Sequence, residues 1–222
     1  MEGGQVYVLG GTGAVPDEWL GDIPASGNYQ FKRLYGSNRY KTNLEILKEA
    51  NVTGSAFIVC TGGNYADSLS CSSLHYPMLL VGKSLNADQR AFLNSLEGEY
   101  TGFYIIGGTG AVSEEIEAEL ANYGWTYRIS GRNRYETSAK IADNFYRDSA
   151  NVVLATGKNF PDGLSGGPLA SMYNAPLILV DDGKTSYAEA FTAQNGIGTG
   201  FVLGGTGAVS EDTMNKVFHI GQ

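Results

Sequence analysis

Two stretches of this chain put side chains that could grip an anion or a sugar on what read as short turns, and both stretches occur twice. Arg33-Leu-Tyr-Gly-Ser-Asn-Arg-Tyr-Lys-Thr42 returns as Arg128-Ile-Ser-Gly-Arg-Asn-Arg-Tyr-Glu-Thr137, and Thr61-Gly-Gly-Asn-Tyr-Ala-Asp-Ser-Leu-Ser70 returns as Thr156-Gly-Lys-Asn-Phe-Pro-Asp-Gly-Leu-Ser165. The recurring Arg39 and Arg134 open a helix, and a guanidinium fork held there can clamp a carboxylate or phosphate through two parallel hydrogen bonds. The same arginines could instead pair with the recurring Asp67 and Asp162. Joint recurrence of Arg and Asp favours that pairing within each repeat, Arg134 with Asp162, and leaves more of any ligand contact to Arg128 and Arg132. Asn64 and Asn159 offer amides suited to sugar hydroxyls, with Tyr65 and Phe160 as apolar platforms. The alternative is that the aspartates cap the next helix and the aromatics are core.

Other chemistry has little footing. His75 and His219 sit at unrelated places in their repeats, no Cys/His metal spacing occurs, and there is no Gly-x-Ser-x-Gly elbow. The residues therefore imply no catalytic group, cofactor or metal. Cys60 and Cys71 are matched by Ala155 and Gly166 in the second repeat, so small side chains suffice there and both thiols read as inert packing. A formal charge of −8 and a pI near 4.7 argue against a dedicated nucleic-acid binder. No apolar run reaches the roughly 18–20 residues of a membrane helix. The opening Met1-Glu-Gly-Gly-Gln5 lacks the basic and apolar regions of a signal peptide.

The elements that carry these motifs come from a repeat. Tyr7-Val-Leu-Gly-Gly-Thr-Gly-Ala-Val15, Tyr104-Ile-Ile-Gly-Gly-Thr-Gly-Ala-Val112 and Phe201-Val-Leu-Gly-Gly-Thr-Gly-Ala-Val209 are spaced 97 residues apart, from 7 to 104 and from 104 to 201. With the other two motifs in the same order, they divide the chain into 1–32, the end of a preceding unit, and two full units, 33–127 and 128–222. Short apolar runs at Ala56–Cys60, Met78–Val81, Phe103–Ile106, Val152–Ala155, Leu177–Val180 and Phe201–Leu203 read as buried parallel strands. The stretch from Ser84 reads as a capped helix with an apolar face of Phe92, Leu93 and Leu96. Alternation of this kind predicts an α/β fold of tandem Rossmann-like modules, each a mostly parallel sheet with helices on both faces. Six residues separate Ser70 from Pro77 where ten separate Ser165 from Pro176, which predicts a helix one turn shorter in the first unit.

The Gly-Gly-Thr-Gly-Ala-Val turn stands where phosphates bind in nucleotide folds. A third helix-packing glycine is replaced by Pro16, Ser113 or Ser210, and acids follow at once: Asp17 and Glu18, Glu114 and Glu115, Glu211 and Asp212. Those acids complement the helix dipole themselves and repel a phosphate, so the expectation is a tight turn before a self-capped helix.

Taken together, Arg-Ile-Ser-Gly-x-Asn-Arg-Tyr-Glu-Thr, Ala-Thr-Gly-x-Asn-Phe-Pro-Asp-Gly-Leu-Ser, Pro-Leu-Ile-Leu-Val and Val-Leu-Gly-Gly-Thr-Gly-Ala-Val-Ser resemble the cell-wall-binding repeat 2 family of Gram-positive bacteria. The resemblance covers both full units. It implies a non-catalytic anchor, extracellular in the cell wall or surface layer, that binds anionic wall polysaccharide while another domain carries any activity. Neighbouring modules of the same type are implied partners, and a homo-oligomer is compatible with it. A wall-associated glycan or peptidoglycan hydrolase and a structural spacer are the alternatives. Family members usually carry three modules, whereas this chain has two and a remnant. The first unit carries 6 Lys/Arg and 10 Asp/Glu against 8 and 9 in the second, so an anionic polymer should prefer the second.

Overall fold

The structure, a computed structural model, describes residues 4–21, 29–96 and 101–221. The leading residues 1–3, read above for a signal peptide, and part of the 1–32 remnant lie outside the described residues. In chain order the elements begin with β1 (Gln5–Leu9), a short 3-10 helix (Asp17–Leu20) and β2 (Gln30–Leu34). The first repeat continues with α1 (Arg39–Glu49), β3 (Ala56–Thr61), α2 (Ala66–Ser70), β4 (Met78–Val81), α3 (Ala87–Asn94), β5 (Gly102–Ile106) and α4 (Glu114–Leu120). Then come β6 (Trp125–Ile129), α5 (Arg134–Phe145), β7 (Asn151–Thr156), α6 (Pro161–Met172), β8 (Leu177–Val180), α7 (Ser186–Asn195), β9 (Thr199–Val202) and α8 (Glu211–Val217).

Every strand pairing is parallel, as the unbroken apolar strands require: β1-β2, β4-β3-β5-β6 and β8-β7-β9. The fold is α/β with helices on both faces of repeated parallel sheets. One face of the four-stranded sheet meets a core of Leu44, Leu47, Phe57, Phe92, Phe103 and Ile116, drawn from α1, α3, α4 and the strands. The opposite face packs Ile58, Cys60 and Ile106 against Ile141 of α5, a helix of the next repeat. Strand pairing and packing therefore cross between repeats. β6 spans the expected boundary at 127/128, adding to the first sheet through Gly102↔Trp125 to Ile106↔Ile129 while its chain continues into α5.

Local chemistry explains the elements. The Gly-x-Asn-Arg-Tyr-x-Thr motif is a helix start: Asn38 and Asn133 cap α1 and α5 through two backbone N–H groups each. Thr42 and Thr137 accept from the N–H of Gly36 and Gly131 at 3.0 Å. α3 begins at Asn86 with a full capping box to Gln89, two residues later than the stretch read from Ser84. The length difference between repeats falls on α2, five residues against twelve in α6, the rest of the shorter segment forming turns. Both cysteines are buried and free, and Cys60 is pushed well above the ordinary thiol range by its hydrogen bond with Cys71 and by burial.

Candidate functional site

Each Gly-Gly-Thr-Gly turn closes on itself. Ala111 and Val112 donate to the Gly108 carbonyl, Ala208 and Val209 to Gly205, and Ser113 and Ser210 cap the following helices. Gly107 and Gly204 lie at φ +97 and +90, and a Cβ on them would stand 2.5 and 2.6 Å from Oδ2 of Asp67 and Asp162. The recurring aspartates thus sit beneath the turns, one in each repeat.

Arg128, expected to contact ligand, lies behind this turn. Its Nη1 donates to the Gly107 carbonyl at 2.8 Å, and Nε and Nη2 both donate to Glu117 at 2.9 and 2.7 Å. Arg33 does the same work one repeat earlier, on Gly10 and Asp17. Arg132 stands on the outer surface, 80% exposed, bonded to Glu136 and Tyr187.

Arg134 corrects the expected pairing. Among the described residues no ion pair within 4.0 Å joins it to Asp162. It faces the first repeat instead. Nη1 donates to the Gly157 carbonyl at 2.6 Å and to the Tyr65 hydroxyl at 3.3 Å, and its guanidinium carbon lies 5.5 Å from the Tyr65 ring centre. The Tyr65 hydroxyl donates in turn to the Lys158 carbonyl at 2.8 Å, and its ring lies 5.4 Å from that of Phe160. Burial raises the Asp67 carboxyl above its ordinary value, and the charge of Arg134 pulls it back. The partner sensed by Asp67 is therefore the arginine of the following repeat.

These contacts border a cleft of about 200 Å³ between the repeats. Asn64, Asp67 and Gly107–Gly108 form its first-repeat wall, and Gly131, Asn133 and Arg134 form the other. Three of the sequence candidates meet here, namely Asn64, Asp67 and Arg134. The sequence reading passed over Asn133, whose recurrence as Asn38 was the available signal. Asn64 accepts from the N–H of Ala66 at 3.1 Å, which turns its amide outward. The other candidates lie elsewhere. Asn159 stands between Lys158 and Phe160, the two residues that Tyr65 contacts, and Asp162 lies beneath the Gly204 turn of the second repeat. Arg39 donates to the Gly62 carbonyl and borders a larger, mostly apolar groove of about 640 Å³ that also takes in Asn64, Tyr65, Met78, Leu80 and Phe160.

A family model, Cell wall binding domain 2 (CWB2), matches residues 33–117 and 128–214. N-acetylmuramoyl-L-alanine amidase LytC of Bacillus subtilis (strain 168) is 32% identical over 195 residues, 84% of this chain and 38% of the amidase. The amidase enhancer of the same organism is 26% identical over 217 residues, 96% of this chain and 29% of that protein. The chain therefore spans less than two-fifths of these relatives' length. Among solved structures, Cwp8 from Clostridium difficile superposes with a TM-score of 0.76 at 23% identity, over 98% of this chain and 38% of that one. Cwp6 from the same organism gives 0.82 at 24%, over 90% and 34%. At that identity the two structures speak for the fold alone.

Proposed function

Because the chain belongs to the cell wall binding domain 2 family, we propose that it holds a longer exported protein to the wall non-covalently by gripping an anionic wall polysaccharide, and catalyses nothing itself. Units 33–127 and 128–222 are the tandem modules of that anchor in this reading. The observation that carries it is the cleft at Arg134. A guanidinium already held by Gly157 and Tyr65 keeps Nε and Nη2 without a hydrogen bond among the described residues, beside the outward amide of Asn64. Such a fork is preorganised for an oxyanion, so little side-chain entropy is lost on binding.

The test is sedimentation with purified walls before and after their secondary polymers are stripped. The chain should come down with intact walls, stay in solution with stripped ones, and release as salt rises. Screening shortens the Debye length from about 10 Å at 0.1 M to about 3 Å at 1 M. Equal retention on stripped walls would sink the proposal, and salt-independent retention would replace the anion with a neutral sugar.

A further inference from the structure

We infer that the ligand site belongs to the seam between consecutive repeats rather than to a repeat, so that the described residues hold one whole site and two half-sites. This rests on the polysaccharide-anchoring reading and says where, and how many times, the polymer is held.

The cleft needs both repeats. The first supplies an acceptor and an amide, Asp67 and Asn64; the second supplies the cation and a second amide, Arg134 and Asn133. Both amides have their oxygens committed to backbone N–H groups, Asn64 to Ala66 and Asn133 to Tyr135 and Glu136, so each presents its NH₂ as a donor. Donors from three side chains around one carboxylate fit an oxyanion next to a hydroxyl: the anion on Arg134 and the amides, the hydroxyl on Asp67. Ligand pockets for drug-sized molecules run to roughly 300–1,000 Å³. A cleft of about 200 Å³ is sized for one unit of a polymer. A phosphodiester and a uronate carboxylate share this chemistry.

Neither end of the chain repeats the arrangement among the described residues. At one end Gly36, Asn38 and Arg39 match Gly131, Asn133 and Arg134, and Gly10 and Gly11 match the turn, but no counterpart of Asn64 and Asp67 faces them. Arg39 accordingly has the Gly62 carbonyl as its hydrogen-bond partner and lacks a counterpart of Tyr65. At the other end Asp162 stands against Gly204 without a facing arginine and makes no ion pair. Composition alone would rank the repeats by charge; the seam ranks them by what faces them.

Matched substitutions in the full chain decide it. Retention on purified walls should fall at least about tenfold for Arg134→Gln and several-fold for Asn64→Ala, the scale of lost charge-assisted hydrogen bonds. Arg39→Gln and Asp162→Asn should stay within about twofold of wild type. Asn64 is exposed, so its variant keeps the test valid if Arg134→Gln melts early. Glucose 1-phosphate and glucuronate, titrated against the unmodified chain, should bind at one site, whichever of the two competes with wall; glucose competing as well as both would overturn the anion assignment. Equal losses from Arg39→Gln and Arg134→Gln would overturn the seam while leaving wall anchoring intact. No retention of the unmodified chain would instead remove the anchoring reading itself.

Discussion

Met78 and Leu80 on β4 and Leu177 and Leu179 on β8 are the same strand positions in two repeats, with opposite surroundings. In the second repeat Ala66 and Leu69 of α2 close over the strand, and both leucines are 1% exposed. In the first repeat the equivalent floor is half-buried and forms part of the 640 Å³ groove. The difference is cover, not chemistry. An apolar groove whose counterpart is filled by a helix of the same chain reads as packing surface, however large. The smaller polar cleft at Arg134 has no apolar floor to cover and holds the better claim to a ligand.

The largest expected effect follows directly. Leu179→Ala removes a fully covered side chain and should cost about 2–5 kcal/mol of unfolding free energy in urea. Leu80→Ala, at the open floor, should cost roughly 1 kcal/mol, because less of it leaves water on folding. Equal losses would break the comparison and mean the groove is closed in solution.

Next in size are the turn glycines. Gly10, Gly107 and Gly204 all hold positive φ, where an L side chain costs of order 1–3 kcal/mol. At Gly107 and Gly204 a methyl group also meets a carboxylate, whereas at Gly10 it meets the Ala14 Cβ at 3.1 Å. Gly107→Ala and Gly204→Ala should therefore lower the melting temperature more than Gly10→Ala. The reverse order would remove the aspartates from beneath the turns.

How much of this was readable beforehand depended on range. β3, β4, β7 and β8 were legible because Val-, Ile- and Leu-rich runs between turn residues have few other solutions. The turn was legible because its acids stand within one helical turn of it. Partner identity was not. Arg and Asp recur at matched positions in both repeats, so a pair within one repeat and a pair across two give the same letters; Arg134 facing Asp67 needed three dimensions. Arg128 looked like a surface cation because Gly107 and Glu117, which hold it, lie 21 and 11 residues upstream. β6 was legible only at its end: Arg128-Ile-Ser-Gly131 reads as a strand before the helix motif, but that motif set the repeat phase at Arg128, which cuts through the strand that begins at Trp125.

The smallest effect separates the helix starts by pH. Glu136 accepts from the backbone N–H and from Nε of Arg132, both at 2.9 Å, and from Lys140, and these bonds lower its carboxyl from 4.5 to about 2. Lys41 occupies the matching place at the start of α1, paired with Asp88 at 3.0 Å. A carboxyl lowered by folding adds stability that is complete above its unfolded value. The contribution is lost as pH falls through the folded one, here between about 4.5 and about 2. Asp67 works the other way, since burial raises its carboxyl and acid favours its folded, protonated form. The sum over the protein therefore hides both, and the difference between wild type and Glu136→Gln isolates one. That difference in urea midpoint should be present at pH 6 and shrink to nothing near pH 2. A Glu136→Gln difference that persists unchanged at pH 2 would mean the glutamate acts through packing rather than charge, and the second repeat would lose its acid-sensitive helix start.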